Sequence, residues 1–530
     1  MKPRSLFVSA GPLACGIILS ASLQLNAAES PAPTKPNIIV FLVDDMGWQD
    51  TSVPFGRETT PLNRKYHTPN MEKLAAGGMK FTQAYATPVC TPSRVSLMTG
   101  QNAARHRVTN WTKDKNKSTD ADTPRLTLPA WNVNGWSPDP ATPRAAHGPA
   151  LPALLRDAGY RTIHVGKAHF GAEGTPGADP RSLGFDINIA GGALGGPGSY
   201  LGEMNYDSPP ADRPTPTFHR VPSLEGHARR GEFLTEALTQ EAIAELEKAQ
   251  TDRQPFFLYM AHYAVHVPYA ADPRFIAKYQ VAGLDPTETM YAALVEGMDK
   301  SLGDLMNYLE NKGIAKDTVI LFMSDNGGLS AHGRGGPRDT HNLPLSCGKG
   351  SLHEGGIREP MIIRWPGVAK PDSSCDTPVI IEDFFPTILA IAGAKESPSD
   401  GRSFMPQIHG EAITVDPARA LIWHFPNAWT RETTVHGYGP GSAVRFGDWK
   451  YIFWHDPQHQ PREELFNLKE DIGETDNLSD KETAKRHEMA ALLRERLEAM
   501  GAQMPLDKAT GTVIAIPTSP AGTRTEMKTH

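Results

Sequence analysis

The feature that most restricts the fold of this chain is a series of short, mostly apolar runs that alternate with segments of helical character. Their length and continuous apolar character are typical of strands that are buried on both faces of a sheet. These runs are Asn37–Val43, Arg161–Val165, Pro255–Ala261 and Thr318–Met323. Helices are predicted between or beside them, at Leu151–Ala158, Phe233–Ala249 and Met290–Leu309. Such alternation predicts an α/β fold in which a mostly parallel sheet is sandwiched by helices.

The pattern changes near residue 415, where the strand–helix alternation ends. Ser442–Phe453 predicts a β-hairpin that turns at Asp448, and Lys481–Met500 predicts an amphipathic helix. These segments indicate a small C-terminal subdomain with an antiparallel sheet and a helix. Because 530 residues exceed what one simple core usually fills, we expect a main domain over 34–415 and a subdomain with its tail over 416–530.

The first 28 residues have the character of a cleavable signal peptide. Lys2 and Arg4 supply basic charge ahead of an apolar stretch, and the segment 26–28 (NAA) offers a small-residue cleavage site. We therefore expect export to the periplasm or beyond the cell, and no later stretch of the mature chain is long and apolar enough to be a transmembrane span. Lipid attachment at Cys15 is a lesser alternative, because Pro12 stands where a lipobox carries Leu.

Charge and cysteine content argue against two other classes of protein. The net charge is −7 and no long basic run occurs, so no nucleic-acid partner is expected. Four cysteines are present, without a CxxC or a Cys/His cluster of the kind that binds zinc. Cys347 and Cys375 either pair in an oxidising compartment or remain two free thiols, and the sequence leaves both alternatives open.

Acidic and amide side chains directly follow two of the apolar runs. Asp44 and Asp45 come after the first run, and Asp325 and Asn326 come after the last, with one serine between. Parallel strands end at one edge of a sheet, and open α/β folds bind ligands there. Each motif alone is more often a cap or a turn, but adjacent carboxylates repel one another unless a cation lies between them. Oxygen ligands of this kind predict a hard divalent ion, calcium or magnesium.

Basic and imidazole side chains occupy similar positions. Lys167 and His169 follow the second run, His266 follows the third, and Lys349 lies in a glycine-rich loop. A single histidine after a strand is more often structural, and a single lysine is more often a solvated surface charge. Their convergence on strand ends and a glycine-rich loop predicts an active site.

The segment Cys90–Gly100 (CTPSRVSLMTG) carries the most specific signal. Pro92 suits the first turn of a helix that begins at Cys90, and Arg94 lies one turn further on, able to reach back toward the cysteine. A helix N-terminus stabilises negative charge, so chemistry on an anion is favoured at Cys90. The alternative is an ordinary buried cysteine beside a helix start.

Six motifs follow one another along the chain: DDMG, CTPSR, GKxH, HxP, SDNGG and GKGxxxEGGIREP. In this order they resemble the type I, formylglycine-dependent sulfatases of the alkaline-phosphatase-like superfamily. The resemblance implies a large mixed sheet, mostly parallel and sandwiched by helices, with 34–415 as the catalytic domain. It also implies hydrolysis of sulfate esters by a nucleophile that a maturation enzyme makes from Cys90, which is converted to 3-oxoalanine (formylglycine).

The resemblance also implies a role for each site residue. One calcium ion is implied, with the ligands Asp44, Asp45, Cys90, Asp325 and Asn326. The implied catalytic residues are Cys90, Arg94, Lys167, His169, His266 and Lys349. In this set Arg94 orients the formylglycine and the two lysines bind sulfate. His266 is expected to protonate the departing alcohol, and His169 to accept the proton whose loss expels sulfate.

The segment RHRVTNW at Arg105–Trp111 resembles secreted bacterial carbohydrate sulfatases, which implies a sulfated polysaccharide or its oligosaccharides as substrate. Trp and Arg here, in Trp131–Arg144 and in Ala331–Arg334 can stack on sugars or pair with anions. One alternative is a phosphatase or phosphodiesterase of the same superfamily, which the CTPSR string disfavours. Another is a non-catalytic secreted sulfoglycan-binding protein, which the complete set of site residues disfavours. The sugar, the sulfated position, endo or exo action and the oligomeric state stay open.

Overall fold

The computed structural model describes residues 1, 6, 35–208, 219–411, 419–430 and 434–517. The chain divides into a short unit, Met1–Thr34, and a compact unit, Lys35–His530. Apart from positions 1 and 6, the predicted signal peptide with Cys15 lies outside the described residues, as does the tail beyond 517. No helix in the described part of the chain is long and apolar enough to cross a membrane.

Fifteen strands in three sheets occur among the described residues. In chain order they are β1 (Asn37–Val43), β2 (Met79–Tyr85), β3 (Leu126–Thr127), β4 (Arg161–Gly166), β5 (Ile187–Ile189), β6 (Phe256–Ala261), β7 (Thr318–Ser324), β8 (Arg358–Arg364), β9 (Ser373–Cys375), β10 (Val379–Ile380), β11 (Ala420–Phe425), β12 (Gly441–Phe446), β13 (Trp449–Trp454), β14 (Glu463–Asn467) and β15 (Leu506–Asp507). The four predicted apolar runs form β1, β4, β6 and β7, so those strand predictions are confirmed.

Twelve α-helices occur in the same residues. They are α1 (Pro69–Ala76), α2 (Cys90–Thr99), α3 (Ala103–His106), α4 (Leu151–Asp157), α5 (Glu225–Arg229), α6 (Leu234–Thr251), α7 (Ile276–Val281), α8 (Pro286–Asn311), α9 (Glu354–Ile357), α10 (Phe384–Ala392), α11 (Met405–Ile408) and α12 (Thr483–Met500). α8 begins before the predicted Met290, because the Asp285 side chain caps it by accepting a hydrogen bond from the Thr287 N–H at 2.9 Å.

The main sheet has nine strands, and its central strands are parallel. Their order is β10-β2-β8-β7-β1-β6-β4-β5, with β9 also paired to β2. β1 pairs in parallel with β6 and β7, and β4 pairs in parallel with β5 and β6. β8 runs antiparallel to both of its neighbours, β2 and β7. The sheet is therefore mixed and mostly parallel, which confirms the predicted fold class.

Helices cover both faces of the main sheet. Residues of β1 alternate between two hydrophobic cores, with Ile38 and Val40 in one and Ile39 and Phe41 in the other. The first core includes residues of α2, α4 and α10, and the second includes residues of α1, α6 and α8. Because a strand between two helical layers has no solvent-facing side, β1 is buried along its whole length.

A second, antiparallel sheet of four strands, β11-β12-β13-β14, lies in the C-terminal part of the chain. One of its faces packs against α12, for example through Leu493, while Trp423 and Trp454 belong to the same core as the main sheet. The predicted hairpin is β12 and β13, and its turn contains Gly447 at φ 60°. The predicted antiparallel sheet and helix are confirmed, and a domain boundary near residue 415 stays a prediction.

A buried ion pair joins the second sheet to the loop that precedes α9. His353 Nε2 lies 2.9 Å from Glu464 Oε2 on β14, and its Nδ1 lies 3.2 Å from Cys347 Sγ. Burial lowers the pKa of His353, but the carboxylates of Glu464 and then Glu474 raise it, and the result lies well above the usual value. The imidazole is therefore charged at neutral pH, and the ion pair holds this loop against the second sheet.

We expect Glu464→Gln to lower the melting temperature by an amount that shrinks as the pH rises. Removing one partner of a buried ion pair costs about 3–5 kcal/mol. Because the folded-state pKa of His353 lies above its unfolded value of about 6.5, the contribution of the pair is complete below that pH. It is lost as the pH rises through the folded-state pKa.

Thermal melts of both proteins between about pH 6 and about pH 10 measure this difference. Glu470→Gln, at an exposed position near the end of β14, is the control and should leave the melting temperature unchanged. A loss for Glu464→Gln that is the same at every pH would contradict a charged pair.

Candidate active site

The predicted site residues meet at the carboxyl edge of the main sheet. β1, β6 and β7 end in register, with Val43 beside Ser324 and Leu42 beside Ala261. β4 ends at the same level, with Gly166 also beside Ala261. The segments that follow these four strands therefore start from one edge, and side-chain contacts join them to the beginning of α2.

Buried carboxylates and buried cations contact one another at this edge. Arg94 Nε donates to Asp325 Oδ2 at 2.8 Å, and Arg94 Nη2 lies 3.7 Å from Asp44 Oδ1. Lys167 Nζ lies 2.7 Å from Asp44 Oδ2. The side chains of these four residues are fully buried. Each charge is compensated by an opposite charge, which burial requires.

Asp45 forms a second ion pair at the mouth of this cluster. Lys349 Nζ lies 2.6 Å from Asp45 Oδ1, and Asn326 Nδ2 donates to the same oxygen at 2.8 Å. Burial raises the pKa of Asp45, but Lys349 and then His266 lower it, and the result lies below the usual value. Asp45 also has a left-handed φ of 62°. Such a conformation is uncommon outside glycine and tends to occur at functional sites.

The cluster contains oxygen atoms that lack a hydrogen-bond partner. Asp44 Oδ1 and Asn326 Oδ1 are both buried and unpaired. Ligand atoms of Asp44, Cys90 and Asp325 lie within 4.8 Å of one another. Burial raises the pKa of Asp44, Lys167 opposes this, and Asp325 raises it further, so that it lies well above the usual value. Unpaired buried oxygens and crowded carboxylates fit a hard divalent cation.

Cys90 and His169 are neighbours at this edge. Cys90 Sγ lies 3.4 Å from His169 Nδ1, and His169 Nε2 lies 2.9 Å from the carbonyl oxygen of Thr112. A carbonyl can only accept, so Nε2 carries the hydrogen and a neutral ring turns its Nδ1 lone pair toward position 90. Burial and then Lys167 lower the pKa of His169 well below its usual value. The ring is therefore neutral and can accept a proton.

His266 differs from His169 in the protonation state that its role would require. Its Nδ1 donates to the carbonyl oxygen of Val267 at 2.7 Å, and its Nε2 lies 3.7 Å from Asp45 Oδ2. Burial and then Lys349 lower the pKa of His266, and Asp45 opposes them by less. Because Nδ1 already donates, Nε2 can deliver a proton only from the charged ring. A bound anion would favour that charged form.

A cavity of about 840 Å³ opens onto these groups. Its lining includes Cys90, His169, His266 and Lys349. Asp45 is the only carboxylate among the described residues that line it. The volume lies within the range of roughly 300–1,000 Å³ that is usual for small-molecule sites, and the charges around it suit an anionic ligand.

A glycine-rich segment, which the sequence analysis did not single out, lies against both histidines. A Cβ at Gly195 would lie 3.0 Å from His169 Cε1, and a Cβ at Gly196 would lie 2.6 Å from His266 Nδ1. The backbone can come this close at Gly196 because no side chain intervenes. The string LGGPGSY was the available signal, since glycine clusters mark loops and close backbone approach.

The loops predicted to bind sugars contribute fewer groups to the cavity than expected. Trp111 and His332 do line it. Trp131 is instead buried and donates from Nε1 to Asp120 Oδ2 at 2.7 Å. Trp429, from the loop after β11, also lines the cavity, and the sequence analysis missed it.

Two arginines of the same loops form ion pairs within the fold, and two others donate to backbone carbonyl oxygens, Arg107 to Gly501 at 2.8 Å and Arg144 to Asn116 at 3.3 Å. Arg105 pairs with Asp400 at 2.8 Å. Arg334 is buried and pairs with Asp50 at 3.1 Å and Glu288 at 2.7 Å. None of these arginines lines the cavity, so the expectation that they bind substrate there is corrected.

The three cysteines in the described part of the chain form no disulfide. Cys90, Cys347 and Cys375 are all free among the described residues. Cys347 contacts His353, whereas Cys375 lies on β9. Of the two alternatives left open by the sequence, two free thiols is the one observed.

Comparison with known proteins identifies the family. A family model described as Sulfatase matches residues 36–394, and the chain belongs to the sulfatase family. A second model, described as N-sulphoglucosamine sulphohydrolase, C-terminal, matches residues 347–503. The protein is a sulfuric ester hydrolase, which decides against the phosphatase and the non-catalytic alternatives.

Relatives and solved structures agree with this membership. A sulfatase of Formosa agariphila is 31% identical, over 87% of this chain and 88% of the relative. The N-acetylgalactosamine-6-sulfatase of Mus musculus is 32% identical, over 87% of this chain and 85% of the relative. The crystal structure of Ps i-CgsB is 27% identical with a TM-score of 0.69, over 88% of this chain and 93% of that one. Ps i-CgsB has also been solved in complex with k-i-k-neocarrahexaose.

Proposed function

We propose that this sulfatase hydrolyses sulfate esters on a carbohydrate, a sulfated polysaccharide or its oligosaccharides, through a formylglycine made from Cys90. The observation that best supports this is the position of Cys90. It begins the buried helix α2, lies 3.4 Å from His169 and lines the cavity. A helix N-terminus beside several cations favours an anionic ligand at this position.

One calcium ion is proposed as the cofactor of this site. Its ligands would be Asp44, Asp45, Asp325, Asn326 and the modified residue 90. The unpaired buried oxygens of Asp44 and Asn326 support a cation here, and the oxygen donors support a hard one. Such an ion, when bound, supplies charge that acidifies a nucleophilic hydroxyl and neutralises sulfate oxygens.

The modification of Cys90 gives the nearby histidine its role. A hydrated formylglycine supplies two hydroxyls on one carbon, one to attack sulfur and one whose deprotonation allows sulfate to leave. A cysteine or serine has no second hydroxyl and lacks this exit. His169 is neutral and turns Nδ1 toward position 90, so we assign it the removal of that second proton.

Three cations are proposed to hold the sulfate group and the reacting residue. Arg94 is fixed by Asp325 and by its bond to the Lys167 carbonyl oxygen at 2.8 Å. Lys167 and Lys349 are fixed by the two aspartates after β1. Charges held in place in this way stabilise developing negative charge without reorganising in the transition state.

His266 is proposed as the general acid. An alkoxide leaving from a sugar is basic and needs a proton as the bond to sulfur breaks. The negative charge of a bound sulfate ester raises the pKa of His266 and opposes the effect of Lys349. The proposal requires that this effect also overcome the burial that lowers the pKa of His266, so that the histidine is protonated when substrate is bound.

Several features support a carbohydrate substrate outside the cytoplasm. The mouse relative is named N-acetylgalactosamine-6-sulfatase, and Ps i-CgsB has been solved in complex with k-i-k-neocarrahexaose. The signal-peptide pattern of residues 1–28 supports export to the periplasm or beyond the cell. A formylglycine-generating maturation enzyme is the partner that this mechanism requires.

The mass of the peptide that contains residue 90 tests the modification directly. We expect active preparations to carry formylglycine, and Cys90→Ala to abolish sulfate-ester hydrolysis without lowering the melting temperature by more than a few degrees. Cys375→Ala is the matched control and should keep full activity, because Cys375 lies on β9 and does not line the cavity. Full turnover by Cys90→Ala would contradict the mechanism.

Metal analysis tests the cofactor independently of activity. We expect about one calcium per chain in purified protein. Asp325→Asn should lose it, because one carboxylate ligand and the charge that fixes Arg94 are removed together. Asp317→Asn, at an exposed position before β7, should keep it. Stoichiometric zinc without calcium or magnesium, at full activity, is the result that the proposal does not allow.

A comparison of substrates with poor and good leaving groups tests the role of His266. We expect His266→Ala to lose about 10²–10⁴-fold in kcat/KM on a sugar sulfate and much less on nitrophenyl sulfate. An aryl oxide is stable enough to leave without a proton. His409→Ala, at an exposed position after α11, is the control. Equal proportional losses on both substrates would mean that His266 binds sulfate and another residue is the acid.

A further inference from the structure

Two tryptophans from distant parts of the chain line the same cavity. Trp111 follows α3 in the main domain, and Trp429 follows β11 in the second sheet. Both are only partly buried. Cys90 and Lys349 line the cavity as well, so the aromatic rings and the reacting groups share one space.

Asp120 connects the two segments that carry these rings. Its Oδ1 accepts hydrogen bonds from Asn110 Nδ2 at 3.1 Å, Asn427 Nδ2 at 3.0 Å and the Ala428 N–H at 3.2 Å. The Ala121 N–H donates to the carbonyl oxygen of Ala428 at 2.8 Å. The residue before each tryptophan is therefore bonded to one carboxylate, and this arrangement fixes the spacing of the two rings.

Trp429 also packs against the residue that follows Lys349. A Cβ at Gly350, where φ is +86°, would lie 2.2 Å from a ring carbon of Trp429. His332 places its ring centroid 5.4 Å from that of Trp429 and lines the same cavity. An aromatic surface therefore begins directly beside the lysine that is proposed to hold sulfate.

We propose that Trp111 and Trp429 form a subsite for the sugar ring that carries the sulfate or adjoins it, with Asp120 as its positioning residue. The inference rests on the proposed function and specifies what the cavity walls bind. Sulfate has no apolar surface, whereas a pyranose presents a face of C–H groups that packs on aromatic rings. The ligand class is a saccharide with one ring face free of sulfate.

Alanine at either tryptophan tests the subsite. The substrates are N-acetylgalactosamine 6-sulfate and k-i-k-neocarrahexaose, and inorganic sulfate serves as a competitive inhibitor without a ring. We expect Trp429→Ala and Trp111→Ala to raise KM for the saccharide that the wild type hydrolyses by about tenfold. The kcat and the inhibition constant for sulfate should stay within about twofold of wild type. Trp429→Phe should have a KM close to that of the wild type, because it keeps an aromatic ring.

The variant Asp120→Asn tests whether Asp120 positions the two tryptophans or only stabilises the fold. We expect a higher KM for the saccharide at unchanged kcat and unchanged sulfate inhibition. The double variant with Trp429→Ala should raise KM by less than the product of the single effects, because both changes act on one subsite. Asp122→Asn, at a neighbouring exposed position, is the matched control and should behave as wild type.

The possible results distinguish a failure of the subsite proposal from a failure of the proposed sulfatase mechanism. Unchanged KM in both alanine variants, with an active wild type, would overturn the subsite and leave the sulfatase mechanism intact. Sulfate inhibition that weakens in parallel with KM would also overturn it, because the rings would then support the reacting centre. A wild type that hydrolyses neither the saccharides nor nitrophenyl sulfate would overturn the proposed function and, with it, the subsite.

Discussion

The compensation of buried charge at the carboxyl edge of the main sheet is the constraint on which this active site depends. Asp44, Asp325, Arg94 and Lys167 have no exposed side-chain area, and an isolated ion in such a place is very costly. The arrangement is possible because parallel strands end in register and bring opposite charges from distant segments within contact distance. Hydrogen bonding in this cluster is incomplete, since Asp44 Oδ1 has no donor, and this supports the proposed cation.

The parts of the site that could be predicted are those with a local signal. Asp44 and Lys167 follow apolar runs whose burial on both faces is readable from composition, and topology then places all such strand ends at one edge. The position of His266 at this edge was predicted in the same way. Cys90 was singled out through the CTPSR string and its resemblance to one family, and the catalytic roles of both residues stay proposals. Neither the argument from strand ends nor the recognition of the motif requires any knowledge of side-chain packing.

The parts that could not be predicted depend on packing between distant segments. Trp429 has no periodic or motif signal, and its place in the cavity follows from how the second sheet packs on the main one. Asp120 resembles any loop aspartate until Asn110 and Ala428 are seen bonded to it. For Arg334 the sequence predicted a binding role that the structure does not support. The sequence around a loop arginine does not distinguish one that binds an anion from one that pairs with a buried carboxylate such as Asp50.

In the proposed mechanism and the proposed sugar subsite, the second sheet contributes to both catalysis and substrate binding. Through Glu464 it holds His353, four residues after Lys349, and so steadies the loop that carries this lysine. Through the loop after β11, the second sheet places Trp429 against Gly350, the residue that directly follows Lys349. A change in the packing of this sheet would move the lysine and the aromatic ring together. If the proposed site and subsite hold, the carboxyl edge of the main sheet can be kept for sulfate chemistry, while the residues of these walls change to suit different sugars.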